Sequence, residues 1–66
     1  MLEFKTEKDK IGILKGKVRV GEIFFSPNYE MYYFNPSGIA ISETQLIQIL
    51  SEVKRLNELN YDLKNE

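Results

Sequence analysis

Ile41-Ser42-Glu43-Thr44-Gln45-Leu46 is the stretch on which the reading of this chain turns. The Ser42 hydroxyl is placed to accept the third backbone N–H of a helix while the Gln45 side chain reaches back to the Ser42 N–H, the reciprocal pattern of a capping box. Ile41 and Leu46 sit at the positions of a hydrophobic staple. The pattern predicts a helix that starts just after Ser42. Leu46, Ile49, Leu50, Val53 and Leu56 follow at helical spacing and form one apolar stripe. Glu43 and Glu52 come early and Lys54 and Arg55 later, in the sense that the helix dipole favours.

Upstream of that helix, three turn signals each predict which side chains share a face. Pro36-Ser37-Gly38 suits a type I turn closed by a left-handed residue, which pairs Tyr33 with Ile41 and Asn35 with Ile39 on an inner face. A three-residue loop at Ser26-Pro27-Asn28 sets Phe25 opposite Tyr29 and Ile23 opposite Met31, leaving Glu22 with Tyr32 and Phe24 with Glu30 on the other side. A two-residue loop at Lys15-Gly16 sets Ile13 opposite Val18 and Ile11 opposite Val20, with Lys17 and Arg19 outward. Joining these registers requires a one-residue phase change between Val20 and Ile23, and Gly21 is where a bulge costs least.

The expectation is an α+β fold: a four-stranded antiparallel meander over roughly 10–14, 17–26, 29–35 and 39–41, with one C-terminal amphipathic helix packed on one face. Residues 1–9, with Leu2 and Phe4 as anchors, are expected to be a flexible arm or a short edge strand; residues 10–66 form a single domain.

Sixty-six residues bury only about 60% of the surface that the unfolded chain exposes, so the core is marginal. The chain has no cysteine and no histidine, which removes disulfides, thiolate metal sites and the commonest general base. Oligomerisation is the remaining common way to add buried surface, and a homodimer is expected. The N-terminal residues lack the pattern of a secretory signal and no apolar run approaches the roughly 20 residues of a membrane span, so a cytoplasmic protein without membrane contact is expected. The net charge of −1 hides an asymmetry: residues 1–21 carry six Lys/Arg against three Asp/Glu, and residues 22–66 carry three against seven.

With no nucleophile–base pair, no phosphate-cradling glycine loop and no metal-ligand spacing, no catalytic residue, metal site or cofactor is expected. The outer face is the candidate site. The registers above gather Lys17, Arg19, Phe24, Tyr32 and Phe34 there, aromatic rings flanked by cations, which is what single-stranded DNA or RNA stacks on and neutralises. Glu22 and Glu30 on the same face dilute its charge, so a protein partner is the alternative. Such a protein-interaction module would be a viral or mobile-element accessory protein acting on a host factor; a structural dimer subunit is a third reading. Leu46, Ile49, Val53, Leu56, Asn60 and Leu63 also fit a heptad with Asn60 at an a position, as in a parallel helix pair. The competing expectation is a sheet-covering helix whose polar tail frays after Asn57.

Gly38-Ile39-Ala40-Ile41-Ser42, continuing through Gln45, Ile49-Leu50, Val53 and Leu56, resembles the last strand and helix start of the transcriptional coactivator family known as positive cofactor four and its short bacterial relatives. The resemblance spans Gly38 to Leu56, with Leu46 where an aromatic residue is frequent. It implies a curved four-stranded antiparallel sheet, a C-terminal helix, a homodimer and single-stranded DNA binding through the sheet. That family's nucleic-acid contacts lie in strands with no residue-by-residue match here, so the five candidate residues rest on the face argument alone.

Overall fold

A computed structural model describes residues 2–64 of the protein, and side chains as far as residue 61. Four strands, β1 (Leu2–Thr6), β2 (Lys10–Lys15), β3 (Val18–Ser26) and β4 (Met31–Pro36), form one antiparallel sheet in the order β1-β2-β3-β4, followed by helix α1 (Glu43–Lys64). The α+β meander with a C-terminal helix is as expected. At the N-terminal end the edge-strand alternative holds, and at the other end the membership differs. The N-terminal arm is a strand, and residues 39–41 are not.

The arm joins the sheet because its two apolar anchors have somewhere to go. Phe4 pairs with Ile13, Leu2 with Lys15, and Leu2 is almost wholly buried. At the other end the chain leaves the sheet early. The Ser37 N–H donates to the Val20 carbonyl at 3.2 Å and its hydroxyl donates to the Arg19 carbonyl at 2.8 Å, which tie the end of β4 to β3. Gly38, at φ 88°, then turns the chain away, and Ile41 packs against the core instead of pairing with Tyr33. The expected strand at 39–41 is thus a connector, and with it the strand half of the segment from Gly38 to Leu56.

Both hairpin loops begin one residue later or run one residue longer than expected, and each shift has a consequence. Lys15 pairs with Val18, so the first loop is Gly16-Lys17, with Gly16 at φ 65°. The register then slips between Ile13 and Leu14: Leu14 opposes Arg19 and Ile13 opposes Gly21, leaving Val20 as the extra residue of a bulge. That bulge lies within the span where a phase change was required, and it turns both Val20 and Ile23 into the core, where each is at most 1% exposed. Val18, expected inside, lies beside the loop and is 49% exposed.

The second loop holds four residues, 27–30, because Ser26 pairs with Met31. The Glu30 N–H donates to the Ser26 carbonyl at 2.7 Å, and Glu30 takes the left-handed φ of 55° that closes the loop. With one more residue in the loop Tyr32, Tyr33 and Phe34 change face. Phe25 pairs with Tyr32, Phe24 with Tyr33 and Ile23 with Phe34.

The helix start is the predicted one. The Gln45 N–H donates to the Ser42 Oγ at 3.2 Å, the Ser42 N–H donates to the Gln45 Oε1 at 3.1 Å, and the Leu46 N–H closes the first turn on the Ser42 carbonyl at 2.9 Å. Ile49 is fully buried among Leu2, Ile13, Val20 and Ile23, with Val53, Leu56 and Ile41 packed around them. Leu46 and Leu50, expected in the same stripe, stay 39% and 50% exposed because the helix presents a narrower face to the sheet. It continues past Asn57 to Lys64 instead of fraying. Asn60, expected at the seam of a helix pair, donates from its Nδ2 to the Glu30 carbonyl at 3.2 Å. The side chain of Leu63, the last heptad position, lies outside the described residues. Among the described residues no helix is long and apolar enough to cross a membrane.

Candidate binding face

The side of the sheet away from α1 is built by alternate residues of all four strands. Lys5, Gly12 and Glu22 lie in one row across β1, β2 and β3, and Lys10, Phe24 and Tyr33 in another across β2, β3 and β4. Phe24 and Tyr33 stack with ring centroids 6.1 Å apart and planes inclined by 26°. Tyr29 reaches in from the four-residue loop, its ring 5.8 Å from that of Tyr33, and remains 70% exposed. These three rings and Ser26 enclose a shallow hollow at one end of the face.

Of the five residues expected here, Phe24 and Arg19 are on this face. Lys17 is not on it; it occupies the tip of the first hairpin loop. Tyr32 and Phe34 are on the opposite side, packed against the buried cluster under α1. The correction follows from the longer second loop, which moves both rings inward and brings Tyr33 outward in their place. Tyr29 and Tyr33 are therefore the residues that the sequence reading missed. Met31-Tyr32-Tyr33-Phe34 is apolar throughout, so alternation cannot say which rings point where. One signal was present: Gly21 lies diagonally across from Phe34, and a Cβ on Gly21 would stand 2.7 Å from the Phe34 ring. A glycine facing a core strand leaves the space that a large ring fills.

Two cations of the face, Arg19 and Lys10, are already engaged. Arg19 extends over Gly12, where a Cβ would meet its guanidinium at 2.8 Å, and grips Glu7 with two hydrogen bonds, Nη1 to Oε2 at 3.1 Å and Nη2 to Oε1 at 2.8 Å. Those hydrogen bonds hold the Glu7 carboxyl below its ordinary pKa, and the same pair raises that of Arg19. Lys10 lies 3.4 Å from Glu22. Phosphate would have to compete with both carboxylates.

A second exposed apolar zone flanks the helix, a groove lined by Met31, Leu50, Val53 and Tyr61 between Lys54 and Glu58. Among the described residues no group of three or more carboxylates is arranged to hold a metal ion. Comparisons with protein-family models, with curated proteins and with solved structures find no match to this chain.

Proposed function

We propose that this chain is a non-catalytic binding module that engages a protein partner through the open face of its sheet, with Phe24, Tyr33 and Tyr29 as the contact centre. The observation that carries the reading is the combination on that face of a ring cluster, with Tyr29 and Tyr33 exposed, and of Lys10 and Arg19 paired to the chain's own carboxylates. Protein interfaces are enriched in Tyr, Phe, Met and Arg and depleted in unpaired charge at their centre, and a few buried aromatics carry most of the affinity. The net charge of −1 adds no general attraction for a polyanion.

Single-stranded nucleic acid is the second reading, favoured by the Phe24–Tyr33 stack, since a base placed on such a pair gains about 1–3 kcal/mol. Immobilised protein separates the two. Under the first reading, partners captured from a lysate survive nuclease treatment and are lost with Phe24→Ala and Tyr33→Ala, at least about tenfold for a contact-centre ring. Capture that nuclease abolishes, with a labelled single strand binding in fluorescence anisotropy at low salt, transfers the face to nucleic acid. Capture indifferent to both substitutions removes the face from either role.

A further inference from the structure

The two edges of the sheet are treated differently. On β4, the Asn57 side chain bonds both backbone groups of Tyr32, at 2.6 and 3.3 Å, and Asn60 bonds the Glu30 carbonyl, so side chains of α1 cover the start of that edge. On β1, no side chain among the described residues caps the backbone in this way, and no proline or bulge interrupts its five residues. A regular, uncovered edge strand is a template for pairing with another strand.

We propose that the β1 edge receives the β1 strand of a second copy of this chain, antiparallel and centred on Phe4, joining two sheets into one. The sequence Leu2-Glu3-Phe4-Lys5-Thr6 is complementary to itself in that register: Glu3 lies opposite Lys5 of the second copy, Phe4 opposite Phe4, and Lys5 opposite Glu3. A slip of two residues either way sets Glu3 against Glu3 or Lys5 against Lys5, so like charges exclude the neighbouring registers. Glu3 and Lys5 are both exposed, on the open face, while Phe4 is half-buried at the rim of the core, where a second Phe4 ring extends the apolar contact. The contact is isologous and closes at two copies.

A two-fold axis perpendicular to the sheet follows from this pairing. It puts both helices on one side and both Phe24–Tyr33–Tyr29 clusters on the other, so a dimer presents two contact centres in one plane whatever they bind. The dimer also supplies the buried surface that a chain of 66 residues without disulfides otherwise lacks.

Sedimentation equilibrium over a range of concentrations, with circular dichroism to verify folding, tests the pairing. The wild-type protein is expected to be a dimer. Glu3→Lys and Lys5→Glu each turn two attractive cross-strand pairs into two repulsive ones and should weaken it roughly tenfold or more. An equimolar mixture of the two variants should dimerise again, because the strand with two lysines in one variant then faces the strand with two glutamates in the other. A folding defect would not show that recovery. Glu3→Gln, a milder change at the same exposed position, should weaken the dimer a few-fold. A wild-type monomer overturns the proposal. So does a dimer indifferent to both reversals, or one broken by Leu50→Glu in the helix groove instead.

Discussion

The Asn57 side-chain amide faces the backbone of Tyr32, its Oδ1 accepting the Tyr32 N–H at 2.6 Å and its Nδ2 donating to the Tyr32 carbonyl at 3.3 Å. One amide thereby makes the two bonds that a fifth strand would make at this residue, and α1 is anchored to the sheet edge as well as to the core. Asn57→Ala leaves both backbone groups half-buried without a partner and should cost about 1–3 kcal/mol, read as a lower midpoint in urea unfolding. A loss under about 0.3 kcal/mol would show that water replaces the amide without penalty.

Gly21 and Gly12 are both buried strand glycines, yet alanine should affect them differently. A Cβ on Gly21 would stand 2.7 Å from the Asn35 carbonyl oxygen and 2.7 Å from the Phe34 ring, so Gly21→Ala must push β4 away and should cost about 2–3 kcal/mol. A Cβ on Gly12 meets only the guanidinium end of the Arg19 side chain, which can swing aside at the expense of its bonds to Glu7. Gly12→Ala should cost less, and should break the Arg19–Glu7 pair, visible as a rise in the Glu7 pKa by NMR titration.

The Glu7 carboxyl titrates below the ordinary value in the folded protein because Arg19 hydrogen-bonds its charged form. Its contribution to stability is therefore present above the unfolded pKa of about 4.3 and is lost as pH falls through the lower folded value. Arg19 stays charged throughout. Glu7→Gln should flatten the acid limb of the stability profile and change nothing in its alkaline limb, as followed by thermal unfolding from pH 2 to 8.

Ser42→Ala removes the acceptor of the Gln45 N–H and should cost about 1 kcal/mol. Ser42→Asp, which keeps an acceptor and adds a charge favourable at a helix N-terminus, should restore most of the loss. Equal destabilisation by the two substitutions would show that the cap contributes nothing to folding.

How much was legible in the sequence depended on whether the signal was local. The helix start was, because the cap, the staple and the first turn all involve residues 41–46, whose spacing leaves one arrangement that satisfies the free N–H groups. The sheet, its antiparallel order and the need for a bulge near Val20 were legible for a related reason: alternation from Lys10 to Phe25 tolerates only one way of keeping Glu22 out of the core. The arm at Leu2–Thr6 was ambiguous by itself, since two apolar anchors among charges make a strand only when Ile13 opposite Phe4 and the buried cluster around Leu2 are there to receive them.

The faces of β4 were not decided locally. Met31 to Phe34 offers no polar residue to mark an outside, and a loop of three or four residues at Pro27 fits the same composition. The choice depends on packing far along the chain: the space over Gly21 that takes the Phe34 ring, and the Asn57 amide that reaches Tyr32 from the helix. The cap that begins α1 was thus determined by its own residues. Which aromatic rings stand on the open face was decided only in the tertiary structure, because a strand has a period of two and a single extra residue in the preceding loop inverts it.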